Sequence, residues 1–197
     1  MKRPVVEVDL RPYFQGEERG HVAKDMIVLH ETVSQNRPGE GDIRSVAAFL
    51  DETGLEIHGI IDKEAFSGWA YDRQAIYDHA ASGDGNVNTR SVGFELVSEI
   101  PSLPTRAERR AAWRADDRKR QLDEVARWCA WLSTVEPIPL RFSKGASPGI
   151  TTHWNVSEYW LNGDGHWDCW PIHMGGHFPA LYVVNKAQQI LAAAEAV

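Results

Sequence analysis

A short apolar run near the start of the chain constrains the fold more than any other feature. Residues 26–29 (MIVL) are consecutive and rich in β-branched or aliphatic side chains, which predicts a buried strand. His30 follows directly, and Glu31 comes next. A histidine at the end of a buried strand is held rigidly at the rim of a sheet, where α/β folds commonly have their active sites. A single histidine is more often a core residue, so the rest of the chain has to supply its partners.

Two further segments predict strands of the same sheet. Residues 56–62 (EIHGIID) form one, and residues 91–97 (SVGFELV) form the other. In the second strand, Glu95 alternates with apolar residues. Because successive side chains of a strand point to opposite faces, Glu95 is expected to face away from them, into a cleft.

Helices are expected between and after these strands. Ser45 is expected to cap a short helix that buries Val46, Phe49 and Leu50. The last helix is expected from about Ala180 to the end, with four buried residues: Leu181, Val184, Ala187 and Leu191.

A long helical region is predicted to open at Thr105, where Glu108 completes a capping box. Its charged part, from Arg106 to Arg120, is expected to be a solvated face. Residues 121–135 continue it as an amphipathic helix. Strands alternating with helices in this way predict a mixed α/β sheet flanked by helices.

Composition limits the possible classes of protein. A chain of 197 residues, 43% of them hydrophobic, fits one domain over 1–197 with its core from about residue 25. A net charge of −7 argues against a nucleic-acid partner. We expect no transmembrane span, no signal peptide and no stable membrane association, and hence synthesis in the cytoplasm. We also expect a monomer.

The two cysteines do not form a disulfide framework. Cys129 lies among apolar residues at helical spacing and is predicted to be a small core residue. Cys169 lies in the segment GHWDCWP beside other potential metal ligands. His30, His153 and one residue of the pair Asp168 and Cys169 together form a set that suits catalytic zinc, which takes about three His, Cys or carboxylate ligands and leaves one position open.

Several motifs, in this order, carry a family resemblance. They are IVLHET, HGIIDKEA, DHAAS, SVGFELV and GITTHWNVS. The chain resembles the zinc-dependent N-acetylmuramoyl-L-alanine amidases of type 2, a family that includes many phage endolysins and is related to peptidoglycan recognition proteins. The resemblance implies a mixed sheet, one catalytic zinc, and hydrolysis of the amide between N-acetylmuramic acid and L-alanine in peptidoglycan.

The same resemblance implies roles for individual residues. His30 matches the first zinc ligand and His153 the second. Glu95 matches a glutamate that serves as catalytic acid and base in part of the family. His79, in DHAAS, matches a histidine that lines the substrate cleft, and Asn88 matches an asparagine just before the glutamate strand. Both are expected to contact substrate.

The third ligand is where the chain departs from the family pattern. The family's last motif is K-T-D-P-G or T-x-C-P-G, whereas this chain has HWDCWP. Asp168 is the preferred ligand and Cys169 the alternative. Aligning Asp168 with the family's aspartate puts His166 in place of the family's lysine, where it would stabilise the oxyanion of the transition state. Aligning Cys169 puts Trp167 there, which could not do so.

The resemblance leaves two functions to compare. The first is a zinc amidase made in the host cytoplasm by a phage and released to the cell wall through a holin-type lesion, or a bacterial recycling enzyme. The alternative is a recognition module that binds peptidoglycan without cutting it. Such modules typically lack a zinc ligand, whereas here the set is complete and Glu95 is present, which favours catalysis.

Overall fold

Six strands form the central sheet of the protein. Its computed structural model describes residues 1–14, 22–33, 40–70, 75–77, 79–80, 87–145, 147–160 and 168–196. In chain order the strands are β1 (Val8–Asp9), β2 (Met26–Val33), β3 (Gly59–Ile61), β4 (Ser67–Trp69), β5 (Ser91–Ser98) and β6 (Gly149–Thr152). Their spatial order is β1-β4-β3-β5-β2-β6. Only the β3–β4 pair is antiparallel, so the sheet is mixed, as predicted.

Helices cover the sheet. They are α1 (Glu40–Glu52), α2 (Val87–Arg90), α3 (Arg106–Ala112), α4 (Asp116–Val135), α5 (His153–Trp160) and α6 (Ala180–Glu195). Short 3-10 turns occupy Ile100–Ser102 and Ile172–Met174. No helix in the described ranges is long and apolar enough to cross a membrane. The predicted fold class, a mixed sheet flanked by helices in one domain, is confirmed.

One face of the sheet packs against α4 and α6. Its central residues are the alternating side chains Ile27, Leu29, Val92, Phe94 and Leu96, which share a core with both helices. Trp69 stacks on Trp128, with ring centroids 4.7 Å apart, and the indole N–H of Trp128 donates to Ser67 Oγ at 3.0 Å. Cys129 lies in this core, fully buried, as the sequence predicted.

The opposite face packs against α1, whose expected register was wrong in two respects. The helix starts at Glu40, five residues before the predicted cap at Ser45. Phe49 is 60% exposed, although its burial was expected. The stripe that meets the sheet begins at Ile43 and continues through Val46 and Ala47, at the i, i+3, i+4 spacing of one helix face. Phe49 lies beside that stripe.

The long helical region is broken into α3 and α4, which the sequence did not predict. Trp113 follows α3 and is 3% exposed, with its ring edge-to-face against Phe178 at 5.1 Å. The chain turns where this ring enters the core, so tertiary packing overrides the helical pattern. Arg118 was expected on a solvated face but is buried, where its guanidinium donates to the Val97 carbonyl at 2.8 Å and pairs with Glu99.

The last helix is confirmed, with one difference in its buried face. Val184 and Ala187 are buried as predicted, whereas Leu181 is 42% exposed. The face that meets α4 begins at Ala180 and includes Val183, so it is displaced from the predicted stripe.

The capping box at the start of α3 is confirmed and gives a stability prediction. Thr105 Oγ1 accepts from the backbone N–H of Glu108 at 3.2 Å, and the Glu108 carboxylate accepts from the backbone N–H of Thr105 at 2.9 Å. We expect Thr105→Ala to lower the free energy of unfolding by about 1 kcal/mol, because a backbone donor loses its acceptor. Urea denaturation measures the change. Thr105→Ser keeps the hydroxyl and should match the wild type; equal loss in both variants would contradict this role of the cap.

Candidate metal centre and active site

His30 and Glu95 lie side by side on two adjacent inner strands, β2 and β5. β2 and β5 are parallel, and their register pairs His30 with Glu95. Since paired residues of adjacent strands point to the same face, both side chains leave the sheet together, away from the core that Leu29 and Phe94 enter. β2 continues to Val33, so His30 lies within the strand and not at its end as predicted.

His153 is brought beside His30 by strand pairing. Thr152, the last residue of β6, pairs with Leu29, and His153 then begins α5. The imidazole rings of His30 and His153 have centroids 4.6 Å apart. Asp168 completes the group: its Oδ2 lies 3.1 Å from His153 Nδ1 and 3.6 Å from His30 Nδ1. A backbone bond from Trp154 N–H to the Asp168 carbonyl at 3.2 Å holds this residue in place.

These three residues fit a metal ion. Their candidate ligand atoms all lie within 4.8 Å of one another. Burial acts to raise the pKa of Asp168, but the hydrogen bond that its carboxylate accepts from His153 Nδ1 outweighs it and holds that pKa well below its ordinary value. The carboxyl is therefore ionised, the form that ligates metals. Two imidazoles and one carboxylate are a donor set that divalent zinc accepts in catalytic sites with an open position.

Glu95 lines the same pocket as the three candidate ligands. The pocket has a volume of about 290 Å³, and its outer wall is apolar, formed by Phe49, Leu50, Leu55 and Ile57. Glu95 is 8% exposed. Burial, followed by the negative charges of Asp168 and Glu31, raises the pKa of Glu95 well above its ordinary value. A carboxyl with such a pKa beside a metal-binding group is a candidate proton acceptor and donor.

The two residues expected to bind substrate are largely buried. His79 reaches the pocket, but its Nδ1 lies 3.1 Å from His30 Nε2. Burial lowers the pKa of His79 well below its ordinary value. Asn88 does not line the pocket; its side-chain oxygen accepts from the backbone N–H of His79 at 3.4 Å and of Ala80 at 2.8 Å. Asn88 thus supports the segment that carries His79.

Cys169 and Asp168 are neighbours that point into different surroundings. Cys169 has a positive φ of 53°, and its side chain is fully buried in the core shared with α4 and α6. Burial raises the pKa of its thiol well above the ordinary value. Among the described residues, the group that can hold a metal contains Asp168 and not Cys169. His166 and Trp167, which the sequence placed near the oxyanion, lie outside the described residues.

A buried pair beneath the site was not predicted. Glu31 Oε2 lies 2.9 Å from His177 Nε2, and both side chains are at most 2% exposed. The same oxygen accepts from the backbone N–H of Cys169 at 3.4 Å. The pair therefore ties β2 to the segment that carries Asp168. The sequence signal was slight: an acidic residue directly after His30, with its partner far along the chain.

Comparison with known proteins identifies the family. The chain matches the N-acetylmuramoyl-L-alanine amidase family over residues 20–171, and it belongs to that family. The resemblance drawn from its motifs is thereby confirmed. No curated protein matches the chain significantly in sequence.

Solved structures share the fold at low sequence identity. The hydrolase AmiA of Staphylococcus aureus, solved with its ligand, superposes with a TM-score of 0.67 and 18% identity over 98% of this chain and 87% of AmiA. PlyL gives a TM-score of 0.60 and 14% identity over 95% of this chain and 97% of PlyL. The endolysin amidase LysCS of Clostridium intestinale gives a TM-score of 0.50 and 16% identity over 85% of this chain and 86% of LysCS. At these identities the likeness is one of fold.

Proposed function

We propose that this protein is a zinc-dependent N-acetylmuramoyl-L-alanine amidase that hydrolyses the amide between N-acetylmuramic acid and L-alanine in peptidoglycan. One observation carries the proposal: in a member of the amidase family, His30, His153 and Asp168 converge in one pocket with Glu95. Three ligands and a separate buried carboxyl are the groups that metal-assisted amide hydrolysis needs. Residues 1–197 are proposed to form one catalytic domain.

Each residue has a proposed role. His30, His153 and Asp168 would hold zinc, which would supply the Lewis acidity that activates water and polarises the scissile carbonyl. Glu95 accepts the proton of the attacking water and delivers it to the leaving amine nitrogen. His166 stabilises the oxyanion, a contribution of about 3 kcal/mol in comparable sites. His79 lines the pocket, and Asn88 holds the backbone of the segment that carries it; both are assigned to support of the site.

A role in phage lysis is part of the proposal. LysCS is described as an endolysin, and it shares this fold. An endolysin is made in the host cytoplasm and reaches the wall through a holin-type lesion, and we propose this route here. Peptidoglycan is the proposed partner, and the protein is proposed to act as a monomer without stable membrane association.

The test combines metal content with identification of the bond that breaks. Purified protein is expected to contain zinc and to release L-alanine amino termini from cell walls without new reducing ends. A chelator should abolish release and added zinc should restore it. Asp168→Ala should lose both zinc and activity, whereas Cys169→Ser should keep both, because its side chain lies in the core.

The outcomes separate the alternatives. Zinc binding without cleavage of any wall type would support a recognition module that holds peptidoglycan. Absence of bound metal would contradict the proposed function altogether. Loss of zinc in Cys169→Ser, with zinc retained in Asp168→Ala, would reverse the choice of third ligand.

A further inference from the structure

The ring of His30 has a different neighbour at each nitrogen. Its Nδ1 faces the metal-binding group, 3.6 Å from Asp168 Oδ2. Its Nε2 lies 3.1 Å from His79 Nδ1. The other nitrogen of His79, Nε2, lies 3.1 Å from Ser91 Oγ, and the Ser91 hydroxyl donates to the Val87 carbonyl at 2.6 Å. These groups form one continuous chain of hydrogen bonds, all of it buried.

The far end of this chain fixes the direction of every bond. A carbonyl oxygen only accepts, so the single hydrogen of the Ser91 hydroxyl is directed to Val87. Ser91 Oγ must then accept from His79 Nε2, which places the hydrogen of a neutral His79 on Nε2. His79 Nδ1 is left as an acceptor and takes the hydrogen of His30 Nε2. A neutral His30 that carries its hydrogen on Nε2 has a lone pair on Nδ1, the atom that faces Asp168.

We propose that His79 and Ser91 are positioning residues that hold His30 in the Nε2–H tautomer and so present its Nδ1 to the metal. The inference rests on the proposed function for the identity of the metal. The tautomer of His30, however, is a property of the metal-free protein and can be measured there. This inference replaces the expectation that His79 contacts substrate. In metal sites generally, the second ring nitrogen of a histidine ligand is held by an acceptor that sets tautomer and ring orientation.

The surroundings of His79 are shaped to hold its ring against His30. A Cβ added at Gly93 would lie 2.6 Å from His79 Nδ1 and 2.6 Å from the Ile57 side chain, so a larger residue would displace the ring. The side-chain oxygen of Asn88 accepts from the backbone N–H groups of His79 and Ala80. These two bonds fix the backbone around His79. The ring therefore has little freedom to turn away from His30 Nε2.

A neighbouring histidine provides a matched control. His58 is also fully buried, and its ring centroid is 5.7 Å from that of His79. Its nitrogens contact only backbone in the described bonds: Nδ1 accepts from Gly93 N–H at 3.1 Å, and Nε2 donates to the Ala75 carbonyl at 3.1 Å. Replacing His58 removes an imidazole of equal size from the same region without removing the acceptor of His30.

The direct test is the tautomer of His30 in the full-length protein. Long-range ¹H–¹⁵N spectra of histidine-labelled, zinc-free protein should show the hydrogen of His30 on Nε2. His79→Leu, which removes the acceptor, should give a mixture of tautomers. His79→Asn places an amide oxygen near the position of Nδ1 and should restore the wild-type pattern. A His30 that carries its hydrogen on Nδ1 and none on Nε2 in the zinc-free wild type would overturn the proposal, even if the variants fail to fold.

Zinc affinity, measured by competition with a chromogenic chelator, provides the second readout. We expect His79→Leu to weaken zinc binding about 10- to 100-fold, the range found when such supporting groups are removed. Ser91→Ala should weaken it in the same direction, and His58→Leu should leave it unchanged. Equal loss in His79→Leu and His58→Leu would reduce His79 to a packing residue and overturn the proposal. If the wild type binds no zinc, the proposed function fails, and the tautomer measurement still decides this inference.

Discussion

A Glu95→Gln variant is expected to retain its fold and the proposed zinc and to lose about 10²- to 10⁴-fold in kcat/KM, the usual contribution of a positioned acid–base group. Glutamine has nearly the shape of glutamate but cannot carry a proton between water and the leaving amine. Glu95 is not among the candidate ligands, so the metal group is left intact. The measurement is release of L-alanine amino termini from cell walls, with zinc content determined on the same preparations.

Glu124→Gln is the matched control for this experiment. Glu124 is also a buried glutamate, 7% exposed, but it lies on α4, where it pairs with Arg127 at 2.6 Å and does not line the pocket. Its replacement should leave kcat/KM essentially unchanged. If Glu95→Gln keeps wild-type activity, Glu95 is not the acid–base group and another residue must move the proton.

The protonation of Glu95 determines whether activity rises or falls with pH. Glu95 accepts a proton only as a carboxylate, so kcat/KM should fall as the pH decreases through its pKa. Burial, the largest cause, raises that pKa, and Asp168 and Glu31 add to the shift. The positive charge of the proposed zinc would oppose the two carboxylate contributions and leave that of burial. We therefore expect the midpoint of the acidic limb above the ordinary glutamate value of 4.5. A profile that stays flat down to that pH would contradict the assignment.

The centre of the fold could be predicted because its sequence signals are long and local. β2 and β5 have eight residues each, and their apolar runs are long enough to identify strands directly. The alternation around Glu95 predicted which face it occupies. Parallel pairing then aligns His30 with Glu95, a result that depends on register and that no local pattern contains.

Three of the short strands were not predicted, because a local sequence signal needs a longer run of residues. β1 has two residues, β4 three and β6 four, too few for a periodic pattern to emerge. β6 matters most, because it carries His153 to its place beside His30. The family motif located this histidine in the sequence, whereas only pairing of β6 with β2 explains its position in space.

Local sequence patterns also could not predict which side chains pair when they are far apart in the chain. His79 matched a family motif, but its contact with His30 joins residues 49 positions apart. Glu31 and His177 are 146 positions apart, and no local pattern joins them. Such pairs form because burial leaves a polar atom no alternative partner, and this becomes visible only when the elements are assembled.

His177→Leu is expected to lower the free energy of unfolding by about 3 kcal/mol, because it leaves the buried carboxyl of Glu31 without its shortest hydrogen bond. The variant leaves the Glu31 carboxylate with two long bonds, from Ser98 Oγ and from Cys169 N–H, each at 3.4 Å. The carboxylate cannot reach solvent, because its side chain is 0% exposed. Urea denaturation of zinc-free protein measures the loss without a contribution from metal binding.

A double-mutant cycle separates the loss of the pair from the loss of packing. Replacing both partners, Glu31→Leu with His177→Leu, removes the buried carboxyl that lacks its partner and should recover part of the stability that His177→Leu loses. Asp9→Asn, which breaks an exposed pair with Arg11, is the control and should cost at most about 1 kcal/mol. Because Glu31 also holds the backbone beside Asp168, His177→Leu should weaken zinc binding as well. Wild-type stability in His177→Leu would mean that the pair contributes nothing, and the segment bearing Asp168 would then be held by its apolar contacts alone.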